Sequence, residues 1–308
     1  MFHILKTVAS YLFIIFLGWF LKSRGLFRKE DAKKLGQIIV NVTLPAALIR
    51  NAGSIVIGTE LPLLFSIAIV CSLITLSAGF LLAKRRRNPQ TSAIMLCTST
   101  YNIGAFLLPF VETFYPGAGV GYLCMFDTGN SIMGLGISYA LAKAASSPDN
   151  RVTLSSMMKT LFSSVPFVTY LILYLLRFLN LNLPETVIDF ASVIANANAF
   201  LTMFMIGLLI DFRLPASELK LIFKTISTRF LLNLVLMTLI FLIVPIDPFV
   251  RLITVLCIAA PVASASVVYS IECGYKGDLV GIVSTLSILI SITEIIAIIL
   301  IFGQSYVV

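Results

Sequence analysis

The residues best suited to binding chemistry lie in the apolar stretch Met95–Phe110, which polar residues interrupt near its middle. The interruption runs from Thr98 through Tyr101 and Asn102 to Gly104. Lipid tolerates non-helical backbone only where that backbone lines a cavity or is buried in protein. The interruption therefore predicts either a packing kink or a binding site, and we adopt the binding site as the hypothesis.

A second interruption occurs in Ala259–Ser266, where Pro261 lies among small residues. Proline removes one backbone donor and clashes with the preceding turn, so the helix kinks or unwinds there. Small neighbours let another backbone approach closely. A single kinking proline is common in membrane helices, but two breaks at matching depth favour a site.

Each predicted break would expose free N–H groups at the start of its second half-helix. These groups attract an anion without the help of a buried cation. We therefore predict that the two breaks meet near the membrane midplane and bind an anion. The predicted binding residues are Tyr101, Asn102, Ile103 and Gly104 on one side, and Pro261, Val262 and Ala263 on the other.

The composition indicates a membrane protein. Of the 308 residues, 59% are hydrophobic and only 12% are charged, whereas a soluble domain has about 25% charged residues. The net charge of +8 does not indicate a nucleic-acid partner, because the positive residues are confined to particular loops. The five cysteines show no metal-like spacing, and nothing in the sequence indicates a cofactor or a metal.

Apolar runs of about 20 residues, separated by turn signals, predict ten membrane-spanning helices and no soluble domain. The predicted spans are 4–22, 35–52, 62–84, 90–112, 118–143, 155–178, 186–211, 217–244, 249–272 and 278–303. Loops after odd-numbered spans hold 18 of the 22 lysines and arginines. The positive-inside rule then predicts that both termini lie on the non-cytoplasmic side of the cell membrane.

The ten spans divide into two halves of five, residues 1–145 and 146–308. Because five is odd, a second half with the same fold must enter the membrane inverted. A shift of 160 residues lays the first set of spans on the second, with a slip of about nine residues at the start of the sixth. Such symmetry is typical of secondary transporters built from inverted repeats.

Other polar residues lie inside predicted spans. Asp127 and Glu294 could each carry a coupling proton, because an intramembrane acid is a functional candidate by default. The alternative, that each is a hydrogen-bonded structural acid, is equally open. Of Asn196 and Asn198, which face different directions, one is expected to line the cavity and the other to bond a neighbouring helix. Arg229 is expected near the cytoplasmic interface, so the predicted site has no fixed cation.

Four motifs resemble those of the auxin efflux carrier family, which contains plant PIN auxin carriers and bacterial malate and malonate permeases. They are Asn41–Leu48 in the second span, Asn102–Pro109 in the fourth, Ala260–Ser264 in the ninth and Glu272–Asp278 before the tenth. The resemblance covers essentially the whole chain. It departs at Tyr101, where PIN carriers have a proline, and at Leu107, where a glycine is usual.

The resemblance implies an all-α polytopic protein with a scaffold and a transport domain, whose fourth and ninth helices are broken and cross. It implies a substrate carboxylate at that crossing, with Asn102 as the crossover asparagine and Pro261 as the crossover proline. It places Thr43 and Pro45 in the cavity wall, with plain helix packing equally open. A homodimer through the scaffold helices is a further expectation.

The sequence therefore predicts a secondary transporter of small organic anions, mono- or dicarboxylates, in the lipid bilayer. Alternating access by an elevator-like motion follows from the resemblance, and uniport, proton symport and sodium symport stay open. The alternatives are a sodium-coupled symporter of the related bile-acid type and an intramembrane sensor or ligand-binding protein on the same fold. An enzyme is not expected, because the only histidine is His3 and neither HExxH nor GxSxG occurs.

Overall fold

Helices dominate the fold, as expected where lipid offers backbone groups no hydrogen-bond partners. The structure, a computed structural model, describes residues 2–55, 58–147, 152–210 and 218–307. The α-helices in these ranges are α1 Phe2–Ser23, α2 Asp31–Ile38, α3 Leu44–Arg50, α4 Glu60–Leu82, α5 Pro89–Thr98, α6 Leu108–Phe114, α7 Ala118–Ile132, α8 Ser138–Ser146, α9 Leu154–Phe162, α10 Val165–Phe178, α11 Glu185–Leu209, α12 Leu219–Ile243, α13 Pro248–Ala259, α14 Ala265–Glu272 and α15 Leu279–Ile298.

Four π-helical turns lengthen or join these helices. They are Ile39–Thr43, Ile103–Leu107, Met133–Ile137 and Ile299–Gly303. The first joins α2 to α3, the second leads into α6, the third joins α7 to α8 and the fourth extends α15. Each predicted apolar segment then coincides with one helix or one run of helices, to within four residues at either end.

Five helical segments in the described ranges are long and apolar enough to cross a membrane. They are Ile4–Ser23, Glu60–Leu82, Glu185–Leu209, Leu219–Ile243 and Leu279–Tyr306. The bent pair α9 and α10 would make a sixth if it counts as one span. The other predicted spans do not meet this test of length and composition, so the count of ten stays a prediction.

The segment 155–178, which the sequence predicts as one straight span, is bent. Helices α9 and α10 meet at an angle of 79°. Pro166 lies in the first turn of α10, where its missing N–H costs nothing, whereas further inside a helix it would clash with the preceding turn. The proline therefore favours a new helix start at this point, preceded by Ser163 and Ser164.

Two groups of helices pack mainly among themselves. The first group contains α1, α2, α3, α10 and α11, and the second contains α4 to α8 and α12 to α15. Helix α9 lies across the second group, where Met157 and Leu161 approach Gly136. The two groups meet around the start of α6 and along α7.

Helices α1 and α11 pack backbone to backbone through Gly18 and Gly207. A Cβ on Gly18 would overlap the carbonyl oxygen of Phe204, and one on Gly207 would overlap the carbonyl oxygen of Ile15. Lys22 at the end of α1 also donates to the carbonyl oxygen of Leu208, at 2.9 Å. Small residues at a helix interface permit this close approach in membranes.

Gly207→Ala is expected to push α1 and α11 apart and to lower the free energy of unfolding by about 1–3 kcal/mol. The melting temperature of the purified protein in detergent measures the loss. Gly281→Ala is the matched control, because a Cβ at Gly281 meets nothing within 4 Å. Equal melting temperatures for the two variants would contradict the close packing of α1 and α11.

Candidate functional site

Two interruptions divide helical runs in the second group. The first break, residues 99–102, separates α5 from the π-helical turn before α6, and the second break, residues 260–264, separates α13 from α14. Pro261 lacks an N–H to continue the helix. Thr100 has a φ of +32°, which for a β-branched residue costs of order 1–3 kcal/mol and persists only when neighbours hold it.

The structure brings the two breaks into direct contact. Tyr101 and Val262 form an antiparallel bridge, and the N–H of Asn102 donates to the carbonyl oxygen of Pro261 at 2.9 Å. The two extended segments thus satisfy part of each other's backbone. Most of the non-helical backbone in the two breaks belongs to buried residues, as the bilayer requires.

A buried guanidinium binds the C-terminal ends of α5 and α13, the two helices that precede the breaks. Arg229 projects from α12 and is 3% exposed, and its guanidinium carbon lies 5.0 Å from the centroid of the Tyr101 ring. Its Nη1 and Nη2 donate at 2.6–3.3 Å to five carbonyl oxygens, those of Cys97, Thr98, Ser99, Thr100 and Ala260.

The position of Arg229 corrects one expectation. The sequence predicts a site without a fixed cation, but the buried Arg229 places one at the crossing of the breaks. The physical reason is the set of carbonyls that each broken helix leaves without an intrahelical partner. Those carbonyls carry the negative end of the helix dipole, so they stabilise a buried positive charge.

The side chain of Asn130 pairs with the first break as a strand would. Its Oδ1 accepts from the N–H of Tyr101 at 2.9 Å, and its Nδ2 donates to the carbonyl oxygen of Tyr101 at 2.8 Å. The same Nδ2 donates to Oδ1 of Asp127 at 2.8 Å. Tyr170 of α10 donates to Oδ2 of Asp127, also at 2.8 Å. A continuous polar chain therefore links the first break to the other helix group.

Asp127 also lies beside the start of the second half-helix. A Cβ at Gly104 would be 3.4 Å from Oδ2 of Asp127 and 2.8 Å from Cδ2 of Leu44. The N–H groups in a first helical turn have no partner within the helix, and they favour a nearby negative charge. The carboxyl group of Asp127 therefore lies close to the helix N-terminus at which the sequence predicts the substrate anion.

Exposure differs among the predicted binding residues. Asn102 and Ala263 are partly exposed, whereas Ile103, Gly104 and Val262 are buried. The amide of Asn102 makes no hydrogen bond to any part of the chain that the structure describes, and the N–H of Val262 donates to Ser287 at 3.1 Å. Of the predicted residues in the two breaks, Asn102 is thus the one whose polar side chain stays available.

A small polar cavity adjoins the breaks between α12 and α15. Its polar lining comes from Arg229, Asn233, Ser287, Ser291 and Glu294. Its volume of about 20 Å³ holds about one water molecule, which is too little for a carboxylate. The cavity is partly open rather than enclosed, and Glu294 lines it.

Thr43, Pro45 and Asn198 lie together in the first helix group. The hydroxyl of Thr43 donates to Oδ1 of Asn198 at 2.8 Å, and Asn198 is 0% exposed. Pro45 is buried in the first turn of α3, next to Leu44, which approaches Gly104. A hydrogen bond between helices thus joins Thr43 to Asn198, and the neighbouring Leu44 lies against Gly104.

Asn196 belongs instead to a polar cluster at the ends of α3 and α6. Its Oδ1 accepts from Arg50 at 2.8 Å, and Arg50 forms an ion pair with Glu112 of α6 at 2.5 Å. Asn51 donates to the same carboxylate at 2.6 Å. Both asparagines of α11 therefore bond neighbouring helices, and neither is hydrogen-bonded to a break.

Sequence reasoning missed Asn233 and Ser287 as well as the role of Arg229 and Asn130. Asn233 donates to the carbonyl oxygen of Ile258 at 3.0 Å and accepts from the hydroxyl of Tyr101 at 3.3 Å. All four are polar residues inside apolar runs. That signal was present in the sequence, but it does not tell which helix face meets the breaks.

Comparisons with known proteins support a transport role for this chain. The model of a family described as membrane transport protein matches residues 3–299. An uncharacterized transporter of Methanothermobacter thermautotrophicus is 23% identical over 214 residues, which cover 68% of each of the two chains.

Proposed function

Because the chain belongs to the membrane transport protein family, the family of auxin efflux carriers, we propose that it is a secondary transporter of small organic anions. The substrates are mono- or dicarboxylates, and the substrate carboxylate binds where the two broken helices cross. Transport proceeds by alternating access.

The observation that carries the proposed site is the contact between the breaks at Tyr101 and Val262. Around this contact lie the first turns of two half-helices, whose N–H groups favour negative charge. The charge of Arg229 adds to that field, and the partly exposed amide of Asn102 supplies hydrogen bonds to a carboxylate. Asp127 beside Gly104 opposes an incoming anion unless it carries a proton, which links it to proton coupling.

The pairing of helices supports an inverted repeat of residues 1–145 and 146–308. Helix α1 packs on α11 as α10 packs on α3, and α4 packs on α5 and α7 as α12 packs on α13 and α15. Exchange of the two halves therefore preserves these helix pairings. This symmetry supports ten spans in a five-plus-five arrangement, with both termini outside the cell, as the positive-inside rule predicts.

The two helix groups support an elevator-type motion. In this proposal the first group is the scaffold, and the second carries both breaks as the transport domain. The ion pair of Arg50 and Glu112 and the bond of Tyr170 to Asp127 join the two groups. These contacts have to break and re-form as the transport domain moves.

The test is a thermal-shift screen of the purified protein against mono- and dicarboxylates, at several pH values and with and without sodium. A ligand that binds the native state stabilises it by about 2.7 kcal/mol at a concentration of 100 times its dissociation constant. We expect carboxylates to raise the melting temperature and the uncharged amides of the same acids to leave it unchanged. No stabilisation by any carboxylate would contradict the proposed substrate class.

A further inference from the structure

The five carbonyl oxygens around Arg229 form a site of the kind that binds a cation. Four come from the end of α5 and one from the end of α13. In inverted-repeat transporters, unwound backbone carbonyls and the C-terminal ends of half-helices coordinate the coupling sodium or proton. Here the same kind of group surrounds a side chain.

We propose that Arg229 is a tethered cation that takes the place of a coupling sodium at the crossing. This role in transport rests on the proposed function, because it applies only if the protein is a transporter. The guanidinium keeps its charge under all physiological conditions. It therefore stabilises the carbonyl ends of both broken helices permanently, without an ion from solution.

The hydrogen bonds of Arg229 make it a positioning residue. Its Nη1 and Nη2 together have four N–H groups, and both nitrogens point at carbonyl oxygens. Few donors are left for a carboxylate. Arg229 acts on a substrate through its charge, and through the fixed shape of Thr100 and Ala260, whose carbonyls it holds.

A tethered cation has a direct consequence for energy coupling. A sodium ion couples transport to its gradient because it binds on one side of the membrane and leaves on the other. Arg229 travels with the transport domain and cannot leave. Sodium coupling at this place is thereby excluded, which leaves the substrate gradient or a proton carried by Asp127 or Glu294 as the driving force at the crossing.

The first test uses the wild-type protein without any carboxylate. Its melting temperature is measured in sodium, potassium and choline chloride at constant ionic strength. We expect the same melting temperature in all three salts, because the carbonyl site is already filled. A melting temperature that rises with sodium, relative to choline, would overturn the proposal.

The second test is chemical rescue of Arg229→Ala. The substitution leaves five carbonyls without their donor, so we expect a melting temperature lower by several degrees. Guanidinium chloride at low millimolar concentration should restore part of that loss by entering the vacated site. Failure of guanidinium to raise the melting temperature of a folded Arg229→Ala protein would also overturn the proposal.

Arg251→Ala is the matched control. Arg251 likewise donates to backbone carbonyl oxygens, those of Val244 and Ile246 at 3.1 and 3.2 Å, but it lies near the start of α13, and its acceptors lie just after α12. Guanidinium should not stabilise this variant or the wild type. If Arg229→Ala does not fold, the wild-type salt series decides the question alone.

Both tests separate this inference from the proposed function. They measure stability in the absence of carboxylates, so a failed carboxylate screen leaves their outcome unchanged. Conversely, sodium-dependent stability together with carboxylate binding would retain the anion transporter and reject the tethered cation.

Discussion

Replacement of Asn102 by alanine is expected to abolish carboxylate uptake and to leave the fold intact. The backbone of Asn102 bonds Pro261 whatever its side chain is, and the amide has no partner in the described ranges, so stability should change little. A lost hydrogen bond to a charged group costs about 1.5–3 kcal/mol, which weakens binding roughly 10- to 150-fold. Uptake of the carboxylate with the largest thermal shift, measured in proteoliposomes, tests this.

The matched control is Asn41→Ala. Asn41 is an exposed amide that bonds only Gln37 of its own helical run, so this variant should transport as the wild type does. Melting temperatures confirm that both variants are folded. Full uptake by Asn102→Ala would contradict the proposal that the substrate binds at the crossing.

Asn130→Ala is expected to lower stability strongly. It leaves the N–H and the carbonyl oxygen of Tyr101 without their partner, and Asp127 loses a donor. A buried polar group left unpaired costs about 1–3 kcal/mol. We therefore expect the free energy of unfolding to fall by roughly 2–4 kcal/mol, with uptake lost at the same time because the first break loses its shape.

Tyr170→Phe provides a graded comparison, since it removes only the bond to Asp127. Its melting temperature should lie between those of Asn130→Ala and Asn41→Ala. If Asn130→Ala had the same melting temperature as Asn41→Ala, the amide of Asn130 would not stabilise the first break.

The helical segments could be predicted because lipid leaves the backbone few alternatives. Apolar runs and their flanking Gly, Pro and Asn residues set the helix ends, and Pro261 marked the second break directly. The bend before Pro166 was missed, although a proline carries that signal, because the segment 155–178 is apolar on both sides of it. Contact between the breaks also followed from their matching depth.

The polar chemistry around the breaks could not be predicted in the same way. Whether Arg229 faces lipid, the interface or the crossing depends on the rotation of α12 against α5, which a linear sequence does not specify. The bond of Asn130 to Tyr101 likewise depends on how α7 packs beside the first break. Such contacts join residues far apart in the chain, and single-helix periodicity does not report them.

The carbonyl site around Arg229 also determines when the first break can form its final hydrogen bonds during synthesis. Between 129 and 132 residues separate Arg229 from the carbonyls of Cys97 to Thr100. At about 5–20 residues per second, a ribosome needs about 6 to 26 s to make that length of chain. Through this interval the end of α5 lacks its donor, and an unpaired carbonyl in lipid costs several kcal/mol. The first break therefore has to stay hydrated until α12 has been synthesised. The first half of the protein can complete its hydrogen bonding only after the second half has been made.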